Sequence, residues 1–284
     1  VYKYLSSMKE GCSPFYQNLI RKKNGKFKRS EIRNSKSRRF STQINDSLFL
    51  RNSYSKKIFK RIKSSKIKSL NKYEYSGLFF FYVPKLIEKI SGSNFEKYFY
   101  DNIINKKNIT LLFNPTNSFD KRFIVPTEFD SNFRNTLVHG YVHDEAASFM
   151  GGISGNAGLF GNAESIGILL KDLDSKNGVF KQSTIEKFTS YAFKNTSVRR
   201  GLGFDKPYQN KEQGTYPNLN LSKKSYGHTG FTGTMFWVDP SKELTIVFLT
   251  NRVYPTRLNE SFYDDNISCL LYTSPSPRDK RQSR

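Results

Sequence analysis

The sequence predicts an α+β (mixed α/β) fold, an antiparallel sheet flanked by helices beside a mostly helical part. Three observations carry that expectation. Segments with helical spacing run through the chain ahead of residue 190. Among them a glycine-rich loop feeds an amphipathic helix from about Asn162, and TMFWV and LTIVFLT, joined by DPSKE, read as an antiparallel hairpin near the end. Helices first and a hairpin last fit α+β better than alternating βαβ units. At 284 residues the chain is long enough to bury a substantial core.

Taken in order, residues 1 to about 72 are basic and weakly patterned. Within them INDSLFLRNSYSKKIFKRI has helical spacing that gathers Leu48, Phe49, Ile58, Phe59 and Ile62 on one apolar face. A helix is expected from about Leu78, closed by Gly92 as a left-handed cap and kinked by Pro84, whose ring displaces a carbonyl and whose nitrogen has no proton. A second amphipathic helix follows from about Asn94. Residues 108–143 are mixed, with turns at Asn114-Pro115 and Val125-Pro126. Beyond the glycine-rich loop Asn162 suits an N-cap for a helix carrying Ile166, Leu169, Leu170 and Leu173 on one side. STIEKFTSY reads as a short helix, and a polar loop runs through Pro217 to the hairpin. The expected layout is one domain over 1–267, its helical part at about 15–200 and its hairpin at about 226–254.

Both ends of the chain are unusual. It opens VYKYLSS without an initiator methionine, as a reading frame entered partway would. From Cys269 it runs CLLYTSPSPRDKRQSR with no periodic pattern, so 268–284 is expected to be a disordered, non-native tail resembling a translated adapter, behind an N-terminally truncated fragment.

The formal net charge is +23. Lysine spread among Asn, Ile, Tyr and Phe is also what AT-rich codons produce, and no helix-turn-helix or zinc-finger pattern accompanies it. Specific nucleic-acid binding is therefore not expected. Two cysteines, Cys12 and Cys269, make no disulfide framework. No apolar run is long enough to span a membrane, and no cofactor is expected.

Chemistry concentrates in two short stretches. In YGHTGFTG, His228 stands between Gly227 and Gly230. Imidazole, the Thr229 hydroxyl and a backbone without Cβ atoms let a ligand approach a strand edge, its carbonyl taking a backbone N–H. The alternative is a surface histidine beside ordinary turn glycines. Tyr75-Ser76-Gly77 stands just before a helix, where a tyrosine beside a cationic group relays protons, or is simply one core aromatic among many. Other stretches fit their motifs poorly. Gly152-Ile153-Ser154-Gly155 nearly spells a nucleophile elbow, but Asn156 stands where glycine is needed. His139 and His143 lie four apart beside Asp144 without the glutamate of a zincin, so no metal is expected.

The ordered series YSGLFFFYVPKLIEKISG, IVPTEFD, GYVHDEAA, GGISGNAGLF, RRGLGFDKP and GHTGFTGTMFWVDPSKELTIVFLTNRVYP resembles the class C beta-lactamase-like serine hydrolases, which are penicillin-binding-protein-like. It is most similar to the branch fused to glycoside hydrolase family 3 in Bacteroidetes-type bacteria, over about Phe15 to Ile267. The resemblance implies a beta-lactamase/transpeptidase-like fold and hydrolysis of an amide or ester through an acyl-enzyme, on a muropeptide or other small-molecule or peptide substrate. It implies a periplasmic or cell-envelope location and, in the parent protein, a fused glycoside hydrolase domain. By resemblance Tyr75 moves protons and His228 assists polarity at the site. Ser76, Gly77, Thr229 and Gly230 bind substrate, and the N–H of Phe231 is the second oxyanion donor. The family usually has Asn or Asp at Gly77 and often His at Asn156. Its Ser-x-x-Lys nucleophile is expected upstream of Val1. The surroundings of the literal match Ser6-Ser7-Met8-Lys9, YLSSMKEGCSPFY, more closely resemble the family's Leu-Ser-His-type turn after the nucleophile helix. Lys3, Lys9 and Glu10 also crowd a serine that a buried helix would flank with apolar residues. The fragment by itself is then expected to be inactive. Two other readings compete: a non-catalytic relative binding peptide or glycan in the same cleft, and a basic nucleic-acid binder.

Overall fold

The computed structural model describes residues 20–64, 76–173, 177–193, 198–209 and 220–259, with 175, 196, 212 and 216–218. The chain divides into two compact units, Val1–Gly161 and Asn162–Arg284.

The first unit opens on three two-residue strands, β1 (Ile32–Arg33), β2 (Thr42–Gln43) and β3 (Phe49–Leu50), with β3 in the middle of an antiparallel sheet. Leu50 stands opposite both Ile32 and Thr42. Helix α1 (Tyr54–Lys63) follows and buries Tyr54, Ile58 and Ile62, one residue per turn. The helix thus starts later than its spacing suggests. Leu48 and Phe49 are buried but lie outside it, because the backbone of Phe49 and Leu50 is committed to strands on both sides. Their core includes Ile20, Ile44, Phe133 and Phe149, with Phe149 edge-on to both Tyr54 and Phe133 at 5.4 and 5.1 Å.

A 3-10 turn at Leu78–Phe81 leads into α2 (Val83–Ser91), which Gly92 closes at φ 71° with its N–H on the Glu88 carbonyl. Pro84 does not kink this helix. The 3-10 turn ends first, so Pro84 falls in the opening turn of α2, where a missing N–H costs nothing. Asn94 caps α3 (Phe95–Phe99) by accepting the N–H groups of Glu96 and Lys97, and a π turn continues it to Ile104. Then come β4 (Leu111–Phe113), β5 (Glu128–Asp130), β6 (Thr136–Val138), α4 (Glu145–Phe149) and β7 (Leu159–Gly161). Strand β4 pairs with β7, and β5 with β6, both antiparallel.

The β5–β6 hairpin has unusual polarity. Glu128 and Asp130 face inward while Phe129 and Leu137, directly opposite each other, face solvent. The carboxylates go inside because cationic and imidazole partners are there. Arg134 donates to Asp130, and the Nε2 of His143 bonds Glu128 at 2.6 Å.

In the second unit Asn162 accepts the Ser165 N–H at 2.8 Å and so starts α5 (Ala163–Leu173); α6 (Gln182–Thr189) follows. The sheet is β8 (Tyr226–Thr229), β9 (Met235–Asp239) and β10 (Leu244–Phe248), antiparallel with β9 in the centre. Asp239 caps the 3-10 turn Pro240–Lys242, and Glu243, at φ 50°, swings the chain into β10, so the hairpin read from DPSKE is present. Helix α5 packs on β10. Leu170, Tyr226 and Val238 form the core, with Ile166, Leu173, Phe204, Phe236 and Val247 around them. Among the described residues no helix is long and apolar enough to cross a membrane.

Candidate active site

Strand β8 carries the His-Thr-Gly stretch, and its placement depends on Gly227. A Cβ there would lie 2.3 Å from the Phe236 carbonyl oxygen and 2.5 Å from Cδ2 of Trp237, so only glycine lets β8 lie against the indole. Gly227 also exchanges two hydrogen bonds with Asp205, N–H to O at 3.1 Å and O from N–H at 2.7 Å. Those bonds point away from β9. Strand groups alternate in direction, so His228 turns its backbone to Phe236 on β9 and Thr229 turns its own outward, on the Asp205 side. The pairing with Asp205 is a single bridge, and the ladder stops before Thr229. An extended ligand has a strand edge to join there.

The imidazole of His228 is partly exposed, with Nδ1 at 2.7 Å from the Thr229 carbonyl. A carbonyl only accepts, so Nδ1 carries a proton; in the neutral ring Nε2 keeps the lone pair. The Thr229 side chain hydrogen-bonds the Tyr216 hydroxyl, whose pKa burial raises, with Asp205 adding to the effect. The Arg199 guanidinium lies 3.9 Å above the Tyr216 ring and 3.4 Å from the Asp205 carboxylate, which Arg200 also grips. After Thr229 the chain reverses. Gly230 N–H reaches Thr234 O at 2.7 Å, and Gly233 N–H reaches Gly230 O at 3.0 Å. Arg252 fixes this turn by donating from Nε to the Phe231 carbonyl at 2.9 Å, its guanidinium 4.7 Å from the exposed Phe231 ring.

The other half of the predicted site is only partly described. Tyr75, Ser6 and Lys9 lie outside the described residues, as does the 268–284 tail. Ser76 accepts the Leu78 N–H at 3.3 Å, and Gly77 begins the 3-10 turn at φ −84°, with open space where a Cβ would stand. Among the described residues, then, nothing in the packing requires glycine at this position. Ser154 is buried and donates to Asn156 Oδ1 at 2.7 Å, the opposite of an exposed nucleophile on an elbow. The two spaced histidines serve different partners: His139 Nε2 donates to the carbonyls of Lys121 and Ile124, and His143 meets Glu128.

Sequence reasoning missed the groups that hold β8 from outside. Asp205, Arg199 and Tyr216 lie in stretches read as motif context or polar loop, and no spacing rule ties them to a strand twenty residues on. RRGLGFDKP was noted only as a block, and its Asp205 is the residue that brackets Gly227.

Comparison with known proteins agrees with this fold. A family model described as Beta-lactamase matches residues 42–265. A protein of Escherichia coli K12 named "Putative D-alanyl-D-alanine carboxypeptidase" is 31% identical over 200 residues, covering 64% of this chain and 45% of its own length. A protein of the same name from Salmonella enteritidis is 30% identical over 202 residues, covering 64% of this chain and 46% of its own. The chain therefore spans a little under half the length of these relatives. Among solved structures, the simvastatin synthase of Aspergillus terreus superposes with a TM-score of 0.50 at 17% identity, over 70% of this chain and 56% of that one, a likeness of fold. By the extent of the family match, this chain belongs to the beta-lactamase family.

Proposed function

We propose that the protein is a serine hydrolase acting in the cell envelope on peptides that end in a D-alanyl-D-alanine unit. A serine oxygen attacks the scissile carbonyl, the amine leaves with a proton, and water then hydrolyses the acyl-enzyme ester. The nucleophile belongs to a Ser-x-x-Lys element ahead of Tyr75 in the chain, and Tyr75 relays the proton. His228 polarises the site, while Thr229 and Gly230, with Ser76 and Gly77, hold the acyl part. The N–H of Phe231 donates to the oxyanion. One observation carries the reading: Thr229 turns its backbone outward past the Asp205 bridge, beside an imidazole whose Nδ1 is already engaged. Family membership and the names of the relatives supply the reaction class and the substrate.

The chain has three histidines, so their ring signals are easily told apart by NMR. Titration with an acylated Lys-D-Ala-D-Ala peptide is expected to move the His228 signal saturably and leave His139 and His143 in place. Thr229→Val is expected to weaken binding about tenfold, the loss of one hydrogen bond of about 1.4 kcal/mol. A His228 signal indifferent to millimolar peptide, or equal affinity in Thr229→Val, would remove the substrate assignment. Mapping a fluorophosphonate adduct by mass spectrometry tests the nucleophile, with no adduct expected on Ser6.

A further inference from the structure

Lys206 is 1% exposed, which is rare for a lysine, and nothing in the proposed chemistry uses it. Its Nζ donates to the carbonyls of Ser225 at 2.6 Å and Lys224 at 3.2 Å, the two residues that lead into β8. It also lies 4.8 Å from the Tyr191 ring centre. The same turn is tied from the other side. Asp239, at the end of β9, accepts the N–H and hydroxyl of Ser222, and Ser225 N–H closes the turn onto Ser222 O. Asp205 and Lys206 thus hold consecutive parts of one strand, the first through its backbone at Gly227 and the second through its ammonium at the strand's head.

We propose that Lys206 is a positioning residue: its buried amine sets the turn before β8 and thereby fixes where His228 and Thr229 stand. The importance of that placement rests on the hydrolase reading above, but the clamp itself does not. Among the described residues, the charged and titratable groups around the amine are Asp239 from β9 and Tyr191 beyond α6. The carboxylate of Asp205 is taken by Arg199 and Arg200, and the Lys223 and Lys224 side chains of the turn are exposed.

The sign of the pH dependence follows from burial. Desolvation lowers the Lys206 amine from 10.5 to about 8, against the pull of Asp239. An opening that wets the amine restores its ordinary value, so the open form binds more protons between those two values. Raising the pH through that window therefore favours the closed strand. The neutral amine still donates to Ser225.

The test is the His228 ring signal of the full chain from about pH 7 to about pH 9.5, with amide exchange of residues 225–229 measured alongside. Wild type is expected to show a step near pH 8, and amide protection, corrected for intrinsic rate, is expected to rise about tenfold or more. Lys206→Met and Lys206→Arg, which do not titrate in this range, are expected to lose both. The arginine variant keeps a cation in place, so it and wild type decide the matter if the methionine variant does not fold. No step in wild type, or a step that survives in either variant, overturns the proposal. If the step is present and the peptide titration fails, the clamp stands and the hydrolase reading falls; the reverse pair of results does the opposite.

Discussion

Arg134→Met is expected to destabilise the first unit by about 3–5 kcal/mol, the cost of removing one partner from a buried ion pair. The side chains of Arg134 and Asp130 are both fully buried. Arg134 donates to Asp130 at 3.1 Å, to Ile44 O at 3.2 Å, to His143 O at 3.2 Å and to Val142 O at 2.8 Å. One guanidinium thus joins the stretch between β2 and β3, the turn after β5 and the segment before α4. Methionine fills much of the volume but leaves three carbonyls without this donor and Asp130 without its cation. The double variant Arg134→Met, Asp130→Asn removes the uncompensated charge and is expected to recover part of the loss. Salt is expected to change these values little, because the pair is dry. Urea unfolding followed by circular dichroism measures all three proteins; a single-variant loss under about 1 kcal/mol would mean that apolar packing alone holds this unit.

That network also marks where sequence reading reaches its limit. The β9–β10 hairpin was legible because its pattern is local: two apolar runs, a proline-containing turn and the family series all agree. Gly92 and Asn162 were legible for the same reason, since caps are decided within four residues. The β5–β6 hairpin follows the reverse rule. Its alternation would put Phe129 inside, and only Arg134 and His143, placed by the fold, make the carboxylates the buried set. Pro84 was assigned to a helix interior because a 3-10 turn followed by an α-helix has almost the same spacing as one helix. Two-residue strands such as β1 and β2 have no periodicity to detect.

The site divides in the same way. His228, Thr229 and Phe231 stand out in sequence because glycines surround them. Strand β8 has only Tyr226 and Thr229 as strand formers, with Gly227 between, and is bracketed by Asp205 and β9. Lys206 gave no signal at all. In a chain with 47 lysines and arginines, nothing local distinguishes a lysine that the fold buries.

Gly227→Val is expected to be the most damaging single change in the second unit, at about 3 kcal/mol or more, the upper range for overpacking. The obstacles to a side chain there are a backbone carbonyl at 2.3 Å and the indole of Trp237 at 2.5 and 2.8 Å, none of them a flexible tip that can swing away. Moving β8 away from β9 to make room would drive it onto Asp205, distort both bonds there and carry His228 and Thr229 with it. The reporter is built in, because Trp237 is the chain's single tryptophan and is 1% exposed. Its emission is expected to shift to the red in the variant, and its unfolding midpoint in urea to fall. Gly77→Ala is the matched comparison. Gly77 has φ −84° and, among the described residues, no atom within 4 Å of an added Cβ, so alanine there is expected to be neutral or to stabilise by about 0.4–1 kcal/mol. The contrast separates a glycine kept for space from one that is merely permitted. If Gly227→Val leaves Trp237 emission and stability as Gly77→Ala does, then close approach to the indole does not place β8, and the position assigned to His228 loses its physical cause.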